Sequence, residues 1–151
     1  MGRRIEELDT PALLLDLDIM EANIATMAEF FAGEKANLRP HMKTHKCAII
    51  ARKQVEAGAI GITCAKLGEA EVAVEGGIRD VLIANEVVGA HKMARLMSLA
   101  KQVDMMVAVD NGGNVEELSQ AAQEWGAKVR VLVEVDVGFH RCGMQVGEEL
   151  V

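Results

Sequence analysis

Five basic or imidazole side chains fall within the ten residues Asn37-Leu38-Arg39-Pro40-His41-Met42-Lys43-Thr44-His45-Lys46, and three of them alternate with apolar ones. In an extended chain, side chains two apart share a face. Arg39, His41 and Lys43 are therefore expected on one cationic face, with Leu38, Pro40 and Met42 on the other. Pro40 has no N–H to give and suits the start or an irregular part of a strand. Thr44 can cap a helix that follows at once. Lys43 then falls near the carboxyl end of a strand, at a strand-to-helix junction, where ligands bind in α/β folds. A lysine in that place is either a solvated side chain beside a turn or an amine that desolvation and nearby cations leave free to attack a carbonyl. Alternation alone does not choose between them. A second segment, Val135-Asp136-Val137-Gly138-Phe139-His140-Arg141-Cys142-Gly143, is a glycine-flanked loop that can carry Arg141 close over a ligand; the plainer reading is a surface arginine. Asp110-Asn111-Gly112-Gly113 is equally consistent with a turn and helix start.

These residues need elements to position them. Ala12 to Leu17 looks like a leading strand. Asp18, with Glu21 three residues on, makes a capping pattern. Met20, Ile24, Met27 and Phe31 recur at helical spacing as far as Gly33. A repeat then follows: strand 37–43, helix 45–57, strand 61–66, helix 67–76, strand 80–85, helix 89–100, strand 104–110, helix 113–125 and strand 128–136. Gly58, Gly76-Gly77 and Gly126 stand where helices should stop. Strands that alternate with helices make a parallel sheet, each returning through a crossover helix. Their carboxyl ends would gather Lys43, Lys66, Asn85-Glu86, Asp110-Asn111 and Asp136 through Arg141 at one rim.

An open doubly wound sheet and a (β/α)8 barrel both fit a parallel repeat. Val81-Leu82-Ile83-Ala84 suits a strand buried on both faces. In 129–136, however, Arg130, Leu132, Glu134 and Asp136 share a face, as beside a polar lumen, and no G-x-G-x-x-G follows the first strand. The barrel is therefore the expectation. A barrel needs eight units and typically about 250 residues, whereas five strands of the repeat are present. The chain thus reads as the first part of a barrel, broken off after the fifth strand. Its strands at 37–43 and 128–136 would be open edges that favour self-association.

With 151 residues, half of them apolar, the chain suffices for one domain. A net charge of −7 and a pI near 5.1 argue against nucleic acid and anionic membranes as partners; the local basic cluster suits a small anion. Glu6 and Glu7 follow Arg3 and Arg4 without an apolar stretch, so no signal peptide is expected. No apolar run approaches the roughly 18 residues of a spanning helix, and a cytoplasmic protein is expected. Cys47, Cys64 and Cys142 are widely spaced, like reduced thiols. His41 and His45 have a spacing that would suit a metal on a helix, but Pro40 argues against a helix there.

Together, Thr10-Pro11-Ala12-Leu13-Leu14-Leu15-Asp16-Leu17-Asp18, Arg39-Pro40-His41-Met42-Lys43-Thr44-His45-Lys46, Gly61-Ile62-Thr63-Cys64-Ala65-Lys66-Leu67-Gly68-Glu69-Ala70-Glu71 and the loop Val135 to Gly143 resemble the low-specificity D-threonine aldolases. D-serine dehydratases share much of the pattern. Both belong to the alanine racemase-type (fold type III) pyridoxal-phosphate enzymes. The resemblance implies a partial alanine racemase-like barrel over 1–151, with 1–33 as the leading strand and helix and 34–151 as barrel strands one to five. The carboxy-terminal β domain of the family would be absent. It implies pyridoxal 5'-phosphate held by Lys43, with Arg141 at the cofactor's phenolic oxygen and His41, Thr63 and Asp136 as weaker contacts. It implies no metal in this chain, since the divalent metal and the phosphate loops belong to the missing part. A D-amino acid substrate and a homodimer of the complete protein follow in the same way. The Thr63-Cys64-Ala65-Lys66 segment tilts the expected activity to D-threonine cleavage. D-serine dehydration and a non-catalytic cofactor-binding barrel are the alternatives.

Overall fold

The computed structural model describes residues 2–147. A short 3-10 turn, Ile5–Glu7, precedes an extended stretch that pairs with no strand. The leading strand expected over Ala12 to Leu17 is thus not formed. A strand needs a neighbour to take its N–H and C=O groups, and among the described residues none is there. Leu13, Leu14 and Leu15 are exposed. Helix α1 (Leu17–Phe31) is capped by Asp16 rather than Asp18: the Asp16 carboxylate accepts from the Ile19 N–H at 3.1 Å. That bond satisfies one of the otherwise unpartnered amides of the first turn.

The strand expected at 37–43 is reduced to one parallel bridge, His41 to Thr63. The Thr63 N–H donates to the Pro40 carbonyl at 2.8 Å and the Met42 N–H to the Thr63 carbonyl at 2.7 Å. The preceding rung of a parallel ladder would need a donor at Pro40, which has none, so the ladder cannot extend backward. Beyond Met42 the chain turns, and the Lys46 N–H donates to the Met42 carbonyl at 2.8 Å. Helix α2 (Ala48–Glu56) therefore starts after Cys47, and Thr44 lies inside the turn instead of capping it.

The remaining elements alternate as the pattern predicts: β1 (Ile62–Cys64), α3 (Leu67–Glu75), β2 (Asp80–Ile83), α4 (Ala90–Ala100), β3 (Asp104–Val109), α5 (Gly112–Trp125) and β4 (Arg130–Val133). All four strands are parallel, in the order β1-β2-β3-β4. Each ends sooner than expected because its last residues leave the ladder to form rim loops. Along each strand the side chains split between two faces. Ile62, Cys64, Val81, Ile83, Met105 and Val107 are fully buried under the helices, against Ala70, Ala73, Leu96 and Met97.

The other face carries Thr63, Leu82 and Met106 in register. At its amino end Asp80 accepts from Arg39 at 2.7 Å and from Arg130 at 3.2 Å, and Arg130 also reaches Asp104 at 2.8 Å. The polar inner face expected from the alternation of 129–136 is present in Arg130. Val131, Leu132 and Val133 are exposed. Among the described residues no helix is long and apolar enough to cross a membrane.

Gly61 lies where a Cβ would overlap both the Arg39 guanidinium and the Asp80 backbone carbonyl. Gly61→Ala in the full-length protein is expected to cost about 1–3 kcal/mol, the usual range for overpacking. Its urea midpoint should fall while the m-value holds; an unchanged midpoint would show that this close approach is not constrained.

Candidate functional site

Parallel pairing brings the carboxyl ends of the strands to one rim, and the residues singled out above occupy it in two groups. Lys43, His41 and Thr63 stand at the β1 edge; Asp136 and Arg141 follow β4 at the other. Asn85, Glu86 and Asp110 lie between, and the Asn85 amide donates to the Ala65 carbonyl at 3.3 Å, tying two of the rim loops together.

Lys43 sits in the turn just past the bridge, exposed, beside the fully buried Met42. Among the described residues none bonds or pairs with its Nζ. Its backbone N–H donates to His41 Nδ1 at 3.3 Å, which leaves the imidazole proton on Nε2 when the ring is neutral. The His41 ring is held below its ordinary pKa, first by burial and next by the Lys43 charge, against the pull of Glu69 and the Thr63 backbone. The uniform cationic face expected for Arg39, His41 and Lys43 is therefore not present. Arg39 is spent on Asp80 at the opposite end of the sheet, and His41 is biased to the neutral form. Thr63 is 8% exposed on the inner face, its hydroxyl 3.5 Å from the Arg39 carbonyl.

Three residues beyond Lys43, Lys46 Nζ meets Glu69 Oε1 at 2.6 Å, while Glu69 Oε2 accepts from the Ala65 N–H at 2.7 Å. Glu69 is only 7% exposed. Burial pushes its carboxyl up, but the bonds from Lys46 and Ala65 and the charges of Lys46 and His41 outweigh that and hold it below the usual range. His45 turns away from His41: its Nδ1 accepts from the Cys47 N–H at 3.1 Å. It lines an apolar groove of about 600 Å³ between α1 and α2 that contains none of the predicted site residues.

At the other edge, the loop after β4 closes on itself. The Met144 N–H donates to the Glu134 carbonyl at 2.8 Å and the Asp136 N–H to the Met144 carbonyl at 2.9 Å. The Asp136 carboxylate accepts from the amides of Gly138 (2.9 Å) and His140 (3.0 Å), from His140 Nδ1 (2.7 Å) and from the Gln145 amide (3.2 Å). These bonds, the two backbone amides foremost, pull its pKa down to about 2. Asp136 thus builds the loop from within. Gly143, at φ +100°, leaves no room for a Cβ against the backbone of Val135 and Asp136. Arg141 projects from this loop, exposed, its guanidinium 5.4 Å above the Phe139 ring. The neighbouring Cys142 side chain, followed by Glu134 and Glu86, raises its already high pKa.

Between the two edges lies the one trio among the described residues with metal-ligand spacing: Glu86, Glu134 and Cys142, whose donor atoms all fall within 4.8 Å of one another. The Cys142 thiol donates to Glu134 Oε1 at 2.9 Å. Burial, then the negative charges of Asp110 and Glu134, push the Glu86 carboxyl up. Glu86 Oε1 is buried without a hydrogen-bond partner among the described residues, and burial beside like charges favours the protonated form of a carboxyl.

Sequence reading places Glu86 at the rim and Glu134 on the polar face of its strand but does not bring the two together, and it misses Glu69 as a rim residue. Glu69 did leave a signal, since it falls on the inward stripe with Ala70, Ala73 and Val74. The trio left none, because its members come from two different strand ends and a loop.

The raised Glu86 pKa means that the folded state holds this proton more tightly than the unfolded chain. That contribution to stability is fully present below the ordinary glutamate range and is lost as pH rises through the folded pKa. Glu86→Gln mimics the protonated form. It should match the parent in urea stability at pH 4 and exceed it at pH 8; equal stability at both would refute the raised Glu86 pKa.

Residues 15–151 match the family described as alanine racemase, N-terminal domain. A D-threonine aldolase of Arthrobacter sp is 47% identical over 143 residues, which are 95% of this chain and 38% of that protein. A 3-hydroxy-D-aspartate aldolase of Paracoccus denitrificans is 40% identical over 99% of the chain and 39% of its own length. The crystal structure of D-threonine aldolase from Filomicrobium marinum superposes with a TM-score of 0.92 at 46% identity, covering 96% of this chain and 39% of that one. The chain spans about two fifths of the length of the relatives it matches. The (β/α) half-barrel, its rim and these matches agree: the chain belongs to the alanine racemase N-terminal domain family.

Proposed function

We propose that this chain is the cofactor-holding part of a pyridoxal-phosphate-dependent lyase acting on D-3-hydroxy amino acids, cleaving D-threonine to glycine and acetaldehyde. The observation that carries the reading is Lys43. It is an exposed primary amine without a partner among the described residues, at the carboxyl rim of a parallel half-barrel akin to D-threonine aldolases. The donor set fits an anionic aldehyde cofactor. Lys43 offers the amine, Arg141 a permanent cation suited to an anionic oxygen, and Thr63 a hydroxyl on the same inner face as the bridge. Glu86, Glu134 and Asp110 make the middle of the rim acidic, so a phosphate is repelled from there and belongs with residues outside this segment. When bound, the cofactor ring withdraws electrons from the substrate Cα and so weakens the bonds to it.

The chain's own residues hold and orient. Lys43 tethers; Arg141, braced on Phe139 in a loop that Asp136 fixes, confines the ring oxygen. His41, its pKa lowered by burial and by the Lys43 charge, is biased away from adding a second positive charge beside Lys43. On this reading the base that takes the β-hydroxyl proton, so that Cα–Cβ breaks, and the divalent metal of the family belong to residues other than the described ones. The complete protein is proposed as a cytoplasmic homodimer; the widely spaced free thiols support a reducing compartment.

In the full-length protein Lys43→Ala should abolish both the visible absorption of covalently held cofactor and turnover. Arg141→Ala should retain the absorption but weaken cofactor affinity about tenfold or more, the scale of one charge-assisted hydrogen bond. Product analysis tests the reaction: glycine and acetaldehyde from D-threonine are expected. Pyruvate from D-serine with no glycine from D-threonine would replace the aldolase reading with a dehydratase, and neither product would leave a binding protein.

A further inference from the structure

The turn that carries Lys43 offers a second primary amine three residues later, and the structure treats the two differently. Lys43 Nζ has no partner among the described residues. Lys46 Nζ is held 2.6 Å from Glu69 Oε1, and Glu69 is itself fixed by the Ala65 N–H at the end of β1. Lys46 is one of two non-glycine residues at positive φ among the described residues, at +49°, a conformation L-residues seldom adopt. Its N–H is tied back to the Met42 carbonyl. Backbone and side chain together aim this amine at α3.

We propose that Glu69 is the residue that selects which lysine of the turn takes the cofactor, by sequestering Lys46 and leaving Lys43 as the free amine. The proposal rests on the reading of Lys43 given above. Addition to an aldehyde requires a nitrogen lone pair. The nitrogen bonds to the aldehyde carbon, the carbon–oxygen bond breaks, and the oxygen leaves as water while a carbon–nitrogen double bond forms. Lys46 Nζ is held by Glu69 and turned toward α3, so it must leave that ion pair before it can reach an aldehyde, whereas Lys43 has no such contact to break among the described residues. Glu69 suits the task because it is 7% exposed, so water competes little for its oxygens, and because its anchor is backbone. The arrangement gives a counter-charge to one amine only: Glu69 for Lys46, and none among the described residues for Lys43. Glu69 is a positioning residue; it reaches the cofactor only through the choice of amine.

The test is a map of lysine labelling in cofactor-stripped full-length protein, incubated with pyridoxal 5'-phosphate, reduced with borohydride and digested for mass spectrometry. The parent should carry the label on Lys43. In Glu69→Gln, which keeps an oxygen for the Ala65 N–H but loses the charge, the share on Lys46 should rise about tenfold or more. Lys43→Ala alone should leave Lys46 unlabelled, and the double variant should label it. Lys46→Arg, which preserves a cation for Glu69, should label on Lys43 only. An unchanged map in Glu69→Gln, or a label on Lys46 in Lys43→Ala alone, overturns the inference and leaves the Lys43 reading standing. A parent label on Lys66 or any other lysine overturns that reading itself. Should Glu69→Gln fail to fold, limiting acetic anhydride on the stripped parent decides: Lys43 should react faster than Lys46, and equal rates would end the proposal.

Discussion

The structure depends on the parallel register of β1, β2 and β3, with Ile62 opposite Val81 and Val81 opposite Met105. Parallel pairing requires a crossover after every strand, and the crossovers here are α3, α4 and α5. Since each strand ends at the same side, the residues just beyond it meet there whatever their separation in sequence. Lys43 and Arg141 are almost a hundred positions apart, yet they belong to one rim because the segments before them run in the same direction.

A parallel sheet buries both faces. Here the helices cover one, and the other carries Thr63, Leu82, Met106 and the ion pairs of Asp80. Asp80 joins the two ends of the fold: Arg39 reaches it from the segment before β1 and Arg130 from β4. Exposed ion pairs contribute little, but Arg39 is well shielded, and removing Asp80 would leave that guanidinium unpaired near the protein's inner face. The same network takes Arg39 out of the site. Its neighbour by alternation, Lys43, is freed of a nearby cation at the cost of none of the sheet's order.

Much of the rim was legible in the sequence because alternation and helical spacing act over a few residues. That Lys43 follows an extended segment and that Arg141 sits in a glycine-flanked loop is readable locally, though it is the family resemblance that singles the two out. Asp136 was read as a candidate contact, and its place in that loop was right. Its four hydrogen bonds within the loop were not readable, since they depend on how Gly138, His140 and Gln145 fold back. Glu69, and the approach of Glu86 to Glu134, escaped for a related reason. Their partners come from other elements, and a carboxylate's neighbours across a sheet leave no trace in its own segment.

The sequence by itself determined the βα repeat and its parallel sense, because backbone geometry enforces those periods regardless of context. Only the tertiary structure decided whether a stretch with strand-like alternation became a strand. Ala12 to Leu17 has the pattern but no partner among the described residues, and 37–43 has a partner but Pro40 in place of the donor its ladder needs. Only the tertiary structure, too, decided the charges. Arg39, His41, Lys43 and Lys46 read as one basic cluster in the chain, and folding sends the first to Asp80, biases the second to neutrality and pairs the last with Glu69. Charge is a property of what stands opposite a group, and that is fixed by contacts between segments far apart in sequence.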